Sequence, residues 1–368
     1  MPISRFSDPA LPGGGLTTSA VAVVTDQRRG GAPIVGYGFG SFGRYAQGGL
    51  IRERFAPRLL AAGDELDPLR AWDSMMAGEK PGGHGERCVA VGALDMALWD
   101  ASAKAVGLPL HRYLAELLPQ ARPVPEIAVY AAGGYRYPRD DLARLQQEAA
   151  RLLGLGHAML KIKVGSPLIA DDLRRIEAVL GLGLAPDRLA VDAMNAWGGD
   201  VALQAAAALA PYGLRWLEDV GDPHDLEGLS ALAAAYHAPL AAGEALFSPP
   251  EARLLHLHGG LRPERDILVF DPVHCYGISG FLAILSELEA AGWPRSAFWP
   301  HGGHLFCLHL VAALGLGGAE LNPLAFAPFA GLLDGSRVED GRIAPPALPG
   351  IGFEGKAELM AVFADLAE

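Results

Sequence analysis

Residues 158–164, AMLKIKV, carry two lysines two positions apart within a run that is otherwise apolar. Side chains two apart on a β-strand lie on the same face. A solvated strand usually explains such a pair, but apolar residues on either side of the lysines indicate a buried strand. We therefore expect Lys161 and Lys163 to face a polar interior. There each would lower the pKa of the other, which favours a neutral amine that can act as a base.

The same kind of short apolar run recurs from residue 126 onward, alternating with Ala- and Leu-rich stretches of helical period. The predicted strands are 127–133, 158–164, 188–193, 215–220, 239–244, 266–271, 297–302 and 319–323. Eight strands that alternate with helices predict an α/β fold with a closed parallel barrel. An open doubly wound sheet is the competing interpretation, but no GxGxxG follows the first strand.

Ionisable residues end these runs or lie at their edges. They are Lys163, Asp192, Glu218, Glu244, Asp271, His301 and Glu320, at spacings of 29, 26, 26, 27, 30 and 19 residues. Randomly placed surface charges would not keep this phase. The carboxyl ends of barrel strands meet at one mouth, so the sequence predicts that all seven side chains share one site.

Three of these residues, Asp192, Glu218 and Glu244, end successive strands. Carboxylates brought that close repel each other unless a cation neutralises them. Hard oxygen ligands select Mg²⁺, with Mn²⁺ as a substitute. A strand-end carboxylate that caps the next helix is the ordinary alternative for any one of them, but three at equal intervals favour the metal site.

Asp271 and His301 end neighbouring strands, so the carboxylate is expected to orient the imidazole and raise its basicity. A helix-capping Asp and a surface His remain the alternative. The nearby His304 and His309 could also suggest zinc. We disfavour zinc because His304 lies beyond the strand end and no HExxH pattern accompanies it.

The composition excludes several function classes. Of the 368 residues, 51% are hydrophobic and 20% charged, which is incompatible with a disordered chain. The net charge is −12 and no basic run occurs, so nucleic acid and anionic membrane are poor candidate partners. Cys88, Cys275 and Cys307 are widely spaced, which fits a reducing, cytoplasmic setting. We expect neither a secretory signal nor a membrane span.

The first part of the chain has a different pattern. Two strands, 17–26 and 32–41, flank the turn Arg28-Arg29-Gly30-Gly31 and predict a hairpin. Helices are expected over 51–62, 69–77 and 92–106, the last of them ended by Gly107.

Taken together, the LysxLys strand, the three carboxylates, the Asp and His on the next two strands, and the segment 92–100 (GALDMALWD) resemble the enolase superfamily, mandelate racemase subgroup. Segments 43–55, 79–87 and 348–356 more narrowly resemble the D-tartrate dehydratases of that subgroup. The resemblance implies a (β/α)7β TIM-like barrel catalytic domain over 126–330. It also implies an α+β capping domain over 1–125, completed by about 331–368.

The resemblance further implies residue roles. Asp192, Glu218 and Glu244 would bind Mg²⁺, which would stabilise an enediolate as the substrate loses its α-proton. Lys163 would be the base, and Lys161 would contact the substrate carboxylate. His301, held by Asp271, would protonate the departing β-hydroxyl to give a 2-keto acid. Glu320 and Lys80 would contact the substrate.

This chain departs from the subgroup at places that determine specificity. The subgroup usually has Asp-x-Asn at this strand, but in Asp192-Ala193-Met194-Asn195 the amide comes one residue later. The thioether of Met194 therefore replaces a polar contact to the substrate. Phe42 stands where the tartrate group carries Asn. The loop 6–15 shares little with that group, and the usual first strand of the capping domain is missing. An apolar Phe42 and Met194 favour a substrate with fewer hydroxyls or a larger apolar end.

The expected activity is that of a carbon-oxygen lyase, a dehydratase of an acid sugar or hydroxy-diacid, with D-tartrate as one candidate substrate. Two alternatives stay open: a racemase or epimerase of an α-hydroxy acid that uses Lys163 and His301 on opposite faces, and a non-catalytic ligand-binding barrel. The expected partner is a small carboxylate molecule. The superfamily implies a homo-oligomer with an even number of subunits.

Overall fold

The computed structural model describes residues 18–40, 46–63 and 67–365. Phe42 and the loop 6–15 lie outside these residues. The first elements form an antiparallel hairpin of β1 (Ala20–Arg29) and β2 (Ala32–Phe39). Gly30 and Gly31 make its two-residue turn with φ values of 59° and 86°, as a type I′ hairpin requires. The predicted hairpin is confirmed, with β1 shifted by three residues.

Five helices follow the hairpin, the first two joined by a π-helical segment, Ile51–Phe55. They are α1 (Gln47–Leu50), α2 (Ala56–Ala61), α3 (Pro68–Met76), α4 (Glu86–Val106) and α5 (Leu110–Leu117). Gly107 ends α4 with a φ of 79°, as expected. Helix α4 is buried from Cys88 to Lys104. Such a helix must be covered on all sides.

The hairpin and the segment around Val273 cover α4 on opposite sides. On the hairpin side, Gly38 of β2 approaches so closely that a Cβ there would lie 2.2 Å from the carbonyl oxygen of Ala93. On the other side, a Cβ at Gly92 would lie 2.0 Å from the carbonyl oxygen of Val273. Only glycine allows backbones to pack this closely. The two glycines thus set the distance between α4 and its neighbours.

Two carboxylates of the segment GALDMALWD connect α4 to distant parts of the chain. Asp95 accepts from the backbone N–H of Ile278 at 2.7 Å. Asp100 accepts from the N–H of Tyr37 at 2.9 Å and from that of Ile351 at 2.6 Å. A buried carboxylate is tolerated only when such donors satisfy it. The segment is therefore a joint between the hairpin, the barrel and the C-terminal part of the chain.

The second part is a parallel barrel with helices outside it. Its strands are β3 (Ile127–Gly133), β4 (Leu160–Lys163), β5 (Leu189–Asp192), β6 (Leu217–Glu218), β7 (Leu240–Ala242), β8 (Ile267–Leu268) and β9 (Ala319–Leu321). Consecutive strands from β3 to β8 pair in parallel, and β9 pairs with β3. The predicted parallel barrel is confirmed.

The barrel closes differently from the sequence prediction. The predicted strand over 297–302 is wrong in its extent. A 3-10 turn occupies Arg295–Ala297, and Phe298 makes a single parallel bridge with Leu268. The N–H of Glu320 then donates to the carbonyl of Pro300 at 3.4 Å, which joins this segment to β9. Prolines at 294 and 300 supply no N–H, which limits the ladder there.

The helices of this part are α6 (Asp141–Gly154), α7 (Ile169–Leu180), α8 (Gly199–Leu209), α9 (Leu226–Ala235), α10 (Pro249–His258), α11 (Ile278–Ala290) and α12 (Leu305–Leu314). After β9, β10 (Arg342–Ile343) pairs antiparallel with β3, and α13 (Ala357–Asp365) follows. Phe363 contacts Tyr37 of the hairpin, with ring centroids 4.5 Å apart. The predicted domain boundary at residue 125 stays a prediction. Among the described residues, no helix is long and apolar enough to cross a membrane.

The barrel interior is filled below the mouth by a small aromatic and aliphatic core. Tyr130, Trp216 and Trp299 lie with ring centroids 5.2–6.0 Å apart, together with Met159 and Ile267. Successive inward positions are two residues apart on a strand. Two positions beyond Met159, Trp216 and Trp299 lie Lys161, Glu218 and His301, so the site lies on an apolar floor.

Candidate active site

The strand register places the first polar residues of the mouth side by side. Lys163 of β4 pairs with Asp192 of β5, and Asp192 pairs with Glu218 of β6. Glu244 follows β7 after Gly243, whose φ of 131° changes the direction of the chain. One oxygen from each of Asp192, Glu218 and Glu244 lies within 4.8 Å of the other two. The structure thus brings the three predicted ligands together.

These three carboxylates fit a divalent cation. Asp192 and Glu218 are buried, and the side chain of Glu244 is 26% exposed, so a ligand can reach the group from the mouth. Within the described residues, Glu244 Oε2 is buried without a hydrogen-bond partner. Burial is the largest influence on the pKa of Glu218 and raises it. Three hard oxygen donors held this closely suit Mg²⁺.

The lysines differ from the sequence expectation in their pKa. Lys163 Nζ contacts Asp192, and Lys161 Nζ contacts Glu218 and lies 3.2 Å from Glu320 Oε2. Burial alone would lower the pKa of each lysine, but these carboxylates outweigh burial and raise both pKa values. The expectation of mutually lowered pKa values is therefore wrong for this arrangement. That expectation was based on the two ammonium groups alone and left out the carboxylates that face them.

The two lysines also differ in access. The side chain of Lys163 is 9% exposed, and its Nζ lies 5.2 Å from the centre of the Tyr135 ring at the mouth. Lys161 is fully buried below it, 5.3 Å from the ring of Tyr130. Lys163 is thus the one of the pair that is open to a ligand. A substrate contact by Lys161 stays a prediction.

Glu320 is held by residues of the barrel floor and the next loop. Its Oε2 accepts from Tyr130 Oη at 3.0 Å, and its Oε1 accepts from Asn322 Nδ2 at 2.9 Å. Burial would raise the pKa of Glu320, but Lys161 and other cations outweigh burial and lower it. An ionised Glu320 orients Lys161. Its predicted substrate contact stays a prediction.

Across the mouth, His301 and Asp271 form a hydrogen-bonded pair, with Nδ1 and Oδ2 3.0 Å apart. The side chain of His301 is 23% exposed, and its Nε2 lies 3.4 Å from Glu244 Oε2. Burial alone would lower the pKa of His301, but nearby carboxylates, Glu244 foremost, raise it to about 10. These carboxylates favour the protonated imidazole, whose Nε2–H is the group that can give up a proton at the mouth.

Two buried polar residues next to this group were not among those predicted from the sequence. His274 Nδ1 lies 2.8 Å from the backbone carbonyl of Glu244, and its Nε2 lies 3.6 Å from Asp271 Oδ2. Asp219 follows Glu218, and burial, with the charges of Glu244 and Asp192, raises its pKa well above the usual range. His274 is three residues after Asp271, a spacing that could have drawn attention to it. Asp219 breaks the inward alternation with a φ of 45°.

Other expectations concern residues around the mouth. Lys80 is exposed, and its backbone carbonyl accepts from Arg87 Nη1 at 3.0 Å. Its substrate contact stays a prediction.

Met194 has a φ of 52° and lines a cavity beside Lys163, whereas Asn195 is exposed and lines a different cavity. Among the described residues, a second group that could hold a metal ion is Asp271, His274 and His301; His304 and His309 belong to neither group.

Comparison with known proteins identifies similar sequences. The family model described as Enolase C-terminal domain-like matches residues 144–359. L-talarate/galactarate dehydratase of Salmonella typhimurium is 32% identical over 304 residues, which are 81% of this chain and 71% of that protein. Dehydratases are carbon-oxygen lyases, so this similarity agrees with the enzyme class expected from the sequence.

Two solved structures are similar over nearly the whole chain. One is L-talarate dehydratase from Polaromonas sp. JS666, complexed with Mg and L-glucarate; it has a TM-score of 0.72 and 27% identity and covers 94% of this chain and 97% of its own. The other is a racemase from Streptomyces coelicolor with bound magnesium, with a TM-score of 0.76, 26% identity and coverage of 97% and 95%. Both contain magnesium, in agreement with the cofactor expected here.

Proposed function

Because the chain belongs to the enolase superfamily, in its mandelate racemase and muconate lactonizing enzyme-like branch, we propose that it is a Mg²⁺-dependent dehydratase of an acid sugar or hydroxy-diacid. One observation carries the proposal. A lysine and a protonated histidine reach the mouth on either side of three carboxylates that can hold a cation. D-tartrate is one candidate substrate.

In the proposed reaction, Asp192, Glu218 and Glu244 would hold Mg²⁺, whose charge would stabilise the negative charge that develops on the substrate carboxylate. Lys163 removes the α-proton at its Nζ, which requires the amine to be neutral. The negative charge of Asp192 raises the pKa of Lys163. A cation held by Asp192 would weaken that attraction and so would favour the neutral amine.

His301 acts as the acid on the other side. In the protonated ring, Nδ1–H donates to Asp271, which fixes the orientation of the ring and leaves Nε2–H to supply the proton at the mouth. Proton transfer to the departing β-hydroxyl releases water and leaves an enol, which becomes a 2-keto acid. Below Lys163, hydrogen bonds from Tyr130 and Lys161 to Glu320 keep these groups in place.

Racemisation of an α-hydroxy acid is the second candidate function. It has specific support, because the structurally similar Streptomyces coelicolor protein is a racemase. In that reaction His301 would return a proton to carbon, and no water would leave. The two functions require the same residues and differ in the atom that receives the proton.

A screen of mono- and diacid sugars with Mg²⁺ tests the proposal, with 2-keto acid detected by semicarbazide. Wild type is compared with Lys163→Ala and with an EDTA-treated sample. Keto acid that disappears in both controls supports dehydration. Exchange of the α-proton in D₂O without keto acid supports the racemase, and ligand binding without either reaction would overturn both in favour of a binding barrel.

A further inference from the structure

A cavity of about 290 Å³ opens beside Lys163, at the carboxyl ends of β3 and β4. Tyr135, Arg136, Pro167 and Met194 are among the residues that line it, together with Lys163 itself. The cavity thus reaches the base, and neither Asp271 nor His301 is among its lining residues. It is large enough for the part of a substrate that extends beyond the reacting carbon.

Arg136 is held in place within this lining. Its Nη2 donates to Asp172, a fully buried carboxylate, which also accepts from the N–H of Ser166 at 2.7 Å and from that of Gly165 at 3.2 Å. Gly165 lines the same cavity. Asp172 therefore fixes the arginine and the loop after β4 at once. A ligand would meet a guanidinium whose position is already determined.

Asp172 occupies only part of the guanidinium. Within the described residues, Nη2 is the one nitrogen of Arg136 with a hydrogen-bond partner, and the side chain is 34% exposed. The planar group has five N–H donors in a fixed fork that matches a carboxylate. The remaining donors are free to bind an anion that enters the cavity.

Apart from the hydroxyl of Tyr135, the rest of the lining is poor in side-chain groups that would bind hydroxyls. The ring of Tyr135, the thioether of Met194 and the ring of Pro167 are mainly apolar surfaces. Charge-assisted hydrogen bonds are stronger when water is excluded by such surfaces. An anionic end group satisfies this cavity better than a chain of hydroxyls does.

We propose, on the basis of the proposed function, that this cavity is a subsite for a second carboxylate of the substrate and that Arg136 binds it. The substrate is then a dicarboxylate, with one carboxylate at the metal ligands and the other at Arg136. The two charged ends would fix which carbon lies against Lys163.

The test uses pairs of acids that differ only in a terminal carboxylate or hydroxymethyl group, such as D-tartrate with the corresponding threonate, and galactarate with galactonate. The measured quantity is the ratio of kcat/KM for the diacid to that for the monoacid, in the presence of Mg²⁺. We expect wild type to favour the diacid. We expect Arg136→Gln to reduce the ratio about 10- to 100-fold, the effect of losing a hydrogen bond to a charged group.

Two further variants make the test specific. Arg139→Gln removes the same charge from an exposed residue of the same loop and should leave the ratio unchanged. Because Arg136→Gln leaves the buried Asp172 without the cation that contacts it, the double variant Arg136→Gln/Asp172→Asn removes both charges and keeps the test valid if the single variant is unstable. Thermal unfolding of each variant verifies folding.

Calorimetric binding of each acid with Mg²⁺ separates this inference from the proposed reaction. Diacid-selective binding that is lost in Arg136→Gln supports the subsite even if no acid loses water, in which case only the dehydratase proposal fails. Equal kcat/KM values and affinities for diacid and monoacid in wild type would overturn the subsite. So would an equal loss for both acids in folded Arg136→Gln.

Discussion

Asp271 Oδ2 lies 3.0 Å from His301 Nδ1, which leaves Nε2 of the same ring directed at Glu244, 3.4 Å away. The carboxylate therefore determines which nitrogen of the imidazole faces the mouth. A proton carried on Nε2 is in position to move to a ligand held at Glu244. Removing His301 or Asp271 should therefore separate proton donation by the histidine from proton removal by Lys163.

The first prediction concerns His301. His301→Asn should lower the rate of keto acid formation about 10²- to 10⁴-fold, because the acid is lost, while exchange of the α-proton in D₂O continues through Lys163. Proton NMR in D₂O and semicarbazide detection measure the two steps in one sample. His258→Asn, an exposed change on α10, is the matched control. Loss of exchange and keto acid together would contradict separate roles.

The second prediction concerns the base. Lys163→Ala should abolish both α-proton exchange and keto acid formation, whereas Mg²⁺ should still raise the thermal midpoint. The reason is that the lysine moves the proton and the three carboxylates hold the cation. Persistent exchange in Lys163→Ala would assign the base to another residue.

The third prediction concerns the carboxylates. Mg²⁺ at 100 times its dissociation constant should raise the free energy of unfolding by about 2.7 kcal/mol. Glu244→Gln should weaken that effect, because it removes a negative charge and one ligand. Thermal unfolding with Mg²⁺ or EDTA measures it, with the exposed change Glu227→Gln as control. An unchanged Mg²⁺ effect in Glu244→Gln would show that the cation binds elsewhere.

The fourth prediction concerns pH. Burial raises the pKa of Asp95 to about 8, far above its unfolded value near 4. Between these values the folded chain holds a proton that the unfolded chain lacks, so this residue's contribution to stability is full at low pH and falls as pH rises to 8. The slope is at most about 1.4 kcal/mol per pH unit.

Asp95→Asn removes this titration and keeps an oxygen that can accept from Ile278. The free energy of unfolding of wild type minus that of Asp95→Asn should therefore fall between pH 4 and pH 8 and level off above it. Denaturant unfolding at several pH values measures the difference. A difference that is constant or rises with pH would contradict the assignment.

The fifth prediction concerns the joint between α4 and the barrel. Gly92→Ala should destabilise the protein by about 1–3 kcal/mol, because the new Cβ meets the carbonyl of Val273 and the backbones must separate. Denaturant unfolding measures the loss. Gly49→Ala, where a Cβ meets nothing within 4 Å among the described residues, is the control. Equal stability of the two variants would contradict close packing at Gly92.

The sequence predicted the part of the site that follows strand periodicity. Lys163, Asp192 and Glu218 could be placed together because inward positions recur every two residues and the ends of parallel strands converge. Asp219 and Arg136 could not, because they lie just beyond strands, where the chain has left that alternation. The position of such residues depends on loop contacts, such as that of Arg136 with Asp172.

The pKa of the lysines could not be predicted for a related reason. Whether a buried amine is neutral depends on the distances to all charges around it, and these distances come from several strands. The sequence placed Lys161 beside Lys163 correctly, but it did not give the contacts of Lys161 with Glu218 and Glu320. The carboxylates outnumber the amines at that depth and reverse the direction of the shift.

The hydrogen bonds of Asp100 have a consequence for how the protein is made. One carboxylate accepts from Tyr37 and from Ile351, which are more than three hundred positions apart. On a ribosome, the first of these residues emerges long before the second is synthesised. The barrel strands that carry the ionisable residues emerge between them, so the carboxyl mouth can assemble first. Asp100 of α4 gains its second backbone partner only when residue 351 leaves the exit tunnel.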